Sequence, residues 1–585
     1  MHLSNIKLWN FRKYGSEDQF DLLKPNLNLN FTRTLNVLIG ENDSGKSAIL
    51  DAIKLVLKTQ SYEWIKVDFS DFYKEQVRFR IELRFDELSD EEAKHFTEWL
   101  SIEGEESDAV PFLKLIYDVS RNQERVLPSD IRAGGDDLGY PITAEAKEYL
   151  KITYLKPLRD AQNELTSKKN SRLSSILLGH EIFLDQEENY LVSEFREFNK
   201  KIEAFFSDDN NNELNDGEHN GKKVKDCIDE YLQSFCDSNK ESQYKTTDAN
   251  LKSILEKLEI SIKDFINPGI GTLNRLFMAA EFLHLNKNNY DGLKLGLIEE
   301  LEAHLHPQVQ MKVIEHLQKI KGTQLILTTH SPNLASKVKL QHLIYCNGAN
   351  AYPMGKEYTK LEESNYVYLE KFLDVTKANL FFAQGIILVE GWAEEILIPS
   401  IAKRLGFDLT KHEVAIINIG NVGFEHFSRI FLRKIEPEME IPVSIITDID
   451  IKEFEYKRAS DTVDIICSVK DKKDQKIKSL EEKYNECKNK VFIAGRWTFE
   501  WCLFNSKAFS ARFIDSLRKI HPRIFSEEQD VEKTLAKQLL KKTLEKTRLA
   551  YEFAKILDEG DDDICVSEDD SARYIFEAIK HVIKH

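Results

Sequence analysis

Cysteine is sparse and unorganised in this chain: 7 among 585 residues, none in C-x-x-C spacing. That excludes a disulfide framework and a thiolate zinc site, and it fits reduced thiols in a cytoplasmic protein. No apolar run is long enough to cross a bilayer, and no signal-type stretch precedes the strand-like segment from Ile6 to Phe11. Sustained heptads are missing as well, which rules out a long coiled coil. Positive charge is in deficit, with a net charge of -18. Any contact with DNA must therefore use local basic patches against a repelling background. What remains is a chain too long for one core, to be divided into about two to four domains.

The first half carries Gly40-x-x-x-x-Gly45-Lys46-Ser47 between an apolar strand from Leu35 to Ile39 and a helical stretch from Ala48 to Leu57. Glycines at these positions let backbone N–H groups turn inward around phosphates, and the helix N-terminus adds its dipole. Lys46 supplies a positive charge from what reads as an exposed loop, and Ser47 offers a hydroxyl to Mg²⁺. Gly40, Asn42, Gly45, Lys46 and Ser47 form the expected nucleotide-binding set, with ATP and Mg²⁺ (or Mn²⁺) as cofactors. Further on, Leu293 to Ile298 is an apolar strand ending in two carboxylates. Glu299 is placed to hold the metal through water and Glu300 to polarise the attacking water. Another buried strand, Gln324 to Thr328, delivers His330 to the same strand-end edge, where it can sense or stabilise the γ-phosphate.

These segments, with Asn10-Phe11-Arg12 ahead of the phosphate loop, resemble the ABC-type ATPase heads of the SMC/RecF-like group. The resemblance implies that Arg12 also touches the nucleotide. It implies too that Pro268 to Asn274, around Gly271, is the signature loop capping a nucleotide held by a partner head. This chain departs from the pattern in lacking the Ser-Gly-Gly core of that loop, and Leu301 stands where a proline follows the catalytic acid. Tyr154 to Asp160 occupies the place of the glutamine loop without its glutamine. Binding should be intact and hydrolysis slow. His304 and His306, at i, i+2 spacing with no cysteine nearby, do not read as zinc ligands.

From about Glu181 to Leu258 the pattern turns helical and heavily charged, interrupted by the polar run Ser207 to Gly221. A helical arm fits it, either simply solvated or, as expected here, used for dimerisation.

The last third starts a second constellation. Gln384 to Val389 reads as a buried strand leading into Glu390, a glycine turn, and a helix that opens with Glu394 and Glu395. Ile441 to Thr447 is a second buried strand, followed by Asp448 and Asp450, whose spacing would put both carboxylates on one face of an extended chain. With the strand-like Val414 to Ile419 between them, the layout is βαβαβ, and ligands gather at the strand ends of such sheets. Packed acids repel unless divalent cations sit between them, and an all-oxygen donor set suits Mg²⁺ or Mn²⁺.

This arrangement resembles the Toprim domain. An ABC-type head followed by Toprim is similar to the OLD (overcoming lysogenization defect) nuclease family, which includes the nuclease subunit of Gabija-type phage defence. The resemblance implies a metal-dependent DNA endonuclease in anti-phage defence, with Glu390, Glu394, Asp448 and Asp450 as metal ligands. Glu500, in Trp497-Thr-Phe-Glu500, becomes a further ligand candidate, and Lys546 the cation that stabilises the pentacovalent phosphate. It implies DNA, a homodimer or homotetramer, and a helicase-type or other defence-system protein as partners. Trp392 stands where the family often has proline. Lys470, Lys472, Lys473, Lys476 and Lys478 suit either a grip on phosphates or a solvated helix face, and the acidic run Asp558 to Asp563 reads as a loop.

The fold class is therefore α/β: an ABC-type ATPase head with a helical insertion, then a Toprim domain. The expected partition is 1–180 and 259–375 for the two parts of the head, 181–258 for the insertion, and 376–585 for Toprim with a helical extension. The alternatives are a RecF-like clamp without nuclease activity, which needs no such acid cluster, and a Toprim primase or topoisomerase, whose zinc segment or DNA-gate tyrosine domain has no room here.

Overall fold

The computed structural model describes residues 1–59, 66–104, 109–156, 164–178, 180–183, 189–207, 221–235, 241–246, 250–263, 269–285, 292–420, 423–458, 461–466, 470–526, 530–560 and 562–583. In the first half, the strands are β1 (His2–Trp9), β2 (Leu27–Asn30), β3 (Leu35–Ile39), β4 (Arg78–Asp86), β5 (Leu100–Glu103) and β6 (Val110–Ser120). They continue with β7 (Arg132–Ala133), β8 (Tyr140–Pro141), β9 (Thr153–Leu155), β10 (Leu295–Ile298), β11 (Gln324–Thr328), β12 (Leu343–Asn347) and β13 (Asn350–Pro353).

Two sheets result. One is antiparallel, in the order β2-β1-β4-β6-β7-β8 with β5 beside β6. The other runs β13-β12-β3-β11-β10-β9, parallel except for the β12–β13 hairpin. Its central strands β3, β10 and β11 are buried at every position, as continuous apolar runs covered on both faces should be. Parallel pairing of β3, β11 and β10 brings the phosphate loop, His330 and Glu299 to one edge although about 250 residues separate the first from the last.

The second half forms a parallel sheet in the order β15-β14-β16-β19, from β14 (Gly385–Val389), β15 (Val414–Asn418), β16 (Val443–Thr447) and β19 (Asn489–Ile493), with a β17 (Phe454–Lys457) to β18 (Thr462–Ile465) hairpin beside it. Adjacent β14 and β16 put Glu390 and Asp448 side by side at their C-terminal ends. The two halves share one apolar core. It runs from Val37 and Leu327 of the first parallel sheet through Tyr345 and Phe381 to Ile386, Ile417 and Val443 of the second.

In the insertion, helices span Tyr190–Phe206, Lys222–Phe235 and Leu251–Leu255. Their small core of Val192, Leu251, Ile254 and Leu255 also takes in Leu177 and Leu178, so this packing begins ahead of Glu181. Tyr190, Phe198, Tyr231 and Phe235 stand exposed on the longer helices. No helix among the described residues is long and apolar enough to cross a membrane.

Candidate functional site

The phosphate loop leaves β3 at Gly40, with φ 137°, and enters the Lys46–Leu57 helix from Gly45, with φ 98°. Side chains rarely adopt either value, and a Cβ at Gly40 would lie 2.3 Å from the Cys346 carbonyl oxygen. The helix begins at Lys46, ahead of the expected Ala48.

Lys46 corrects a second expectation. It is buried rather than an exposed loop charge, and its ammonium donates to the carbonyls of Gly40 (2.9 Å) and Glu41 (2.5 Å) and to Ser44 Oγ (2.9 Å). Burial pushes its pKa down. The inward turn of the loop's own oxygens makes the pocket, which spacing alone does not reveal. Asn42 and Ser47 are exposed.

At the neighbouring strand ends, Glu299 accepts from the Tyr154 hydroxyl (2.5 Å), and Glu300 follows with φ 47°, its N–H donating to Thr328 Oγ1 (3.1 Å). The His330 N–H donates to Glu302 Oε1 (2.5 Å). Burial, then the Lys46 charge, lower the pKa of the imidazole, with Glu302 and Glu300 opposing. His330 and Lys46 therefore lie near enough to feel each other's charge. Glu302, which was not expected there, acts on both, and its second oxygen is buried without a partner. Its signal was its place two residues past Glu300.

Arg12 is directed elsewhere. It is ion-paired with Asp51, on the helix that follows the phosphate loop, and with Asp71 (2.9 Å). The expected signature loop is also corrected: Gly271 and Asn274 lie in a helix, Ile270–Leu285, whose Leu, Met and Ala content favours that state. Pro268, Arg159 and Asp160 fall outside the described residues, as does 208–220 of the polar run. If Lys46 holds phosphate, Lys46→Ala should weaken ATP binding roughly 10- to 150-fold, the worth of one or two charge-assisted hydrogen bonds. Calorimetry giving the parent affinity would remove Lys46 from the site.

The second cluster lines a cleft of about 620 Å³. Glu390 Oε1 accepts from Thr447 Oγ1 (2.5 Å) and the Asp448 N–H (3.0 Å), which fix its carboxylate at the end of β14. Glu394 projects from the first turn of the Trp392–Arg404 helix, and Glu500 from the Phe499–Asn505 helix, capped by Thr498 accepting from the Trp501 N–H. Asp448, Glu394 and Glu500 are all buried.

The Asp-x-Asp expectation needs amending. β16 ends at Thr447, Asp450 has φ 55° and its N–H donates to the Trp497 carbonyl (3.0 Å). Asp450 reaches the cleft through a turn, exposed at its rim, while Ile449 is buried. The two acids share the cleft, not a strand face.

Electrostatics set this cluster apart. Burial, with Glu500 and Glu390 adding to it, pushes the Glu394 pKa up to about 7. Asp448 is raised further, by burial first and then by Glu500, Glu390 and Glu394. Lys546 pairs with Glu500 at 2.9 Å; burial works against its charge, but Glu500, Asp448 and Glu394 outweigh it. The Lys546 ammonium faces Glu500 Oε2, and among the described residues Glu500 Oε1 is buried without a hydrogen-bond partner. Nor do any three His, Cys, Asp or Glu side chains among them converge closely enough, as they stand, to enclose an ion. The donor chemistry nevertheless fits a hard divalent cation: oxygen ligands, mutual repulsion and one buried carboxylate oxygen without a partner.

Of the lysine run, Lys473 is committed to Glu453 (2.8 Å), which also holds Arg496 and the Trp501 indole N–H (3.0 Å). Lys470, Lys472 and Lys478 lie on the solvated Lys470–Tyr484 helix, which buries no residue, and Lys476 lines the cleft. His306 caps the Pro307–Leu317 helix and His304 is exposed.

Comparison with known proteins places names beside this geometry. The AAA ATPase domain family matches residues 1–266 and 267–335, more than half of the chain. The Overcoming lysogenization defect protein-like TOPRIM domain matches residues 381–450. Endonuclease GajA of Bacillus cereus (strain HuB5-5) is 23% identical over 548 residues, covering 77% of each chain. Endonuclease GajA of Bacillus cereus (strain VD045) is 22% identical over 462 residues, 73% of this chain and 72% of that one. The Old nuclease of Escherichia phage P2 is 27% identical over 176 residues, 28% of this chain and 30% of that one.

Proposed function

The chain belongs to the AAA ATPase family and carries an OLD-like Toprim domain, and from that premise we propose that it is an ATP-binding, metal-dependent DNA endonuclease acting in anti-phage defence. The observation that carries the nuclease half is the Glu390, Glu394, Asp448, Asp450 and Glu500 set around one cleft, two of its members raised in pKa by burial and by neighbouring acids of the set. A fold tolerates such a set where cations offset it.

Bound Mg²⁺ or Mn²⁺ supplies the Lewis acidity that activates a water and stabilises the departing 3′ oxygen. The chain's own groups do the rest. Thr447 and the Asp448 N–H keep Glu390 aimed at the cleft, and Lys546 places positive charge beside Glu500 where the phosphate becomes more negative. In the ATPase, Lys46 is the phosphate cation, Ser47 and Glu299 are the metal-holding groups, Glu300 accepts the water's proton, and His330 faces the γ-phosphate. The N-terminal turn at Gly271 then caps a nucleotide on a second copy. The exposed aromatic residues of the insertion suit it to contact with that copy, giving a homodimer or homotetramer. Light scattering with and without ATP reads that assembly directly.

Purified protein incubated with supercoiled plasmid should nick or linearise it with Mg²⁺ or Mn²⁺ and not with EDTA. Intact plasmid under every metal and ATP condition would defeat the nuclease reading. Phage plating on cells expressing the parent and the Asp448→Ala protein tests the defence role, since equal plating would separate cutting from defence.

A further inference from the structure

The mouth of the Toprim cleft carries a feature that metal binding does not use. Trp392 lines it, 65 % exposed, with neither a ring nor a hydrogen-bond partner among the described residues. An indole left in water beside a carboxylate cluster gains nothing for the fold, since it buries little apolar surface. The Phe424 and Tyr484 rings, 6.2 Å apart and edge to face, form another part of the same wall. Two cations complete it. Lys476 comes from the Lys470–Tyr484 helix and Lys542 from the turn that ends the Val531–Lys541 helix, where it has φ 56°. Neither ammonium has a carboxylate partner among the described residues, in a chain with net charge -18 and in a cleft lined by acids. Lys473 and Lys546, by contrast, are both paired.

Resting on the nuclease reading above, we propose that this cleft is a subsite for an unpaired nucleotide of DNA, its base stacked on Trp392 and its flanking phosphates held by Lys476 and Lys542. The exposed indole selects an unpaired strand. An indole can stack only on a base face that a neighbouring base does not already cover, and intact duplex offers none. The cleft, at about 620 Å³, has room for a single nucleotide. The substrate class is then single-stranded, gapped or bulged DNA, or duplex from which the enzyme extrudes a base.

The test measures binding of the full-length protein to a fluorescent oligonucleotide as a single strand, as a perfect duplex, and as a duplex with one unpaired base, alongside cutting of each. Trp392→Ala should weaken binding to the single strand and the bulged duplex roughly 5- to 150-fold, the range for loss of one base stack. Trp392→Phe should restore most of it, and perfect-duplex binding should change little. Lys476→Ala and Lys542→Ala should each reduce the slope of log affinity against log salt by about 0.7 on the single strand, one phosphate contact apiece. Parent affinity of Trp392→Ala for the single strand overturns the subsite. So does an equal loss on all three DNAs, which would mean a structural indole, or a changed oligomeric state without a change in DNA binding, which would mean an interface between copies. Failure of the parent protein to bind or cut any of the three is a different result, since it removes the nuclease reading itself.

Discussion

Asp448→Ala should abolish DNA cutting while leaving ATP and DNA binding in place. Its carboxylate lies at the end of β16 beside Glu390 at the end of β14, nearly buried, with Glu394 and Glu500 close enough to raise its pKa well above the usual range. Loss of a group that holds a catalytic cation forfeits several kcal/mol of transition-state stabilisation, about a 1,000-fold fall in rate or more. The fold should not suffer. An ionised carboxylate at this position is unfavourable in the folded chain, so its removal relieves repulsion and the melting temperature in EDTA should stay level or rise. EDTA should reproduce the loss of cutting in the parent. If the variant still cuts plasmid at the parent rate, the activity lies elsewhere and a RecF-like ATP-dependent clamp becomes the better account.

Glu300→Gln should leave ATP bound and unhydrolysed. Glutamine keeps the size of the side chain and the backbone hydrogen bond from residue 300 to Thr328, and it removes only the proton acceptor. General-base catalysis is worth roughly 10²- to 10⁴-fold, so turnover should fall by that factor while calorimetric affinity stays put. Turnover at the parent rate would move the base to another residue. Glu302 is then the first to examine, because one of its oxygens is held by the His330 N–H and the other is buried without a partner.

Periodicity and motif spacing carried much of the architecture. Buried parallel strands announce themselves as unbroken apolar runs, and β3, β10, β11, β14 and β16 fall within a residue or two of where those runs stand. The residues at their ends follow from topology once the sheets are parallel, which is why Glu299, His330, Glu390 and Asp448 could be placed on strand ends from the sequence. What could not be read depends on the path of the backbone beyond a strand or on partners far along the chain. The turn at Asp450 replaces a pleat, and the inward carbonyls of Gly40 and Glu41 bury Lys46. Lys473 is drawn to Glu453, and Arg12 to Asp51 and Asp71, by tertiary contacts that no local pattern encodes. Family resemblance puts Gly271 in a loop, but the apolar residues after it carry a helix back through it.

The shared apolar core has a polar counterpart. Glu41, next to Gly40 in the phosphate loop, accepts a hydrogen bond from Gln384, the residue just ahead of β14, and burial with help from the nearby Glu413 raises its pKa while Gln384 opposes. β14 leads directly into Glu390. The candidate phosphate loop and the strand that ends beside Glu390 are thus joined within one subunit, with Glu41 as the latch between them. ATP should accordingly alter plasmid cutting by the parent protein and leave cutting by Lys46→Ala unchanged; an identical ATP response in both proteins would mean that the latch carries no message.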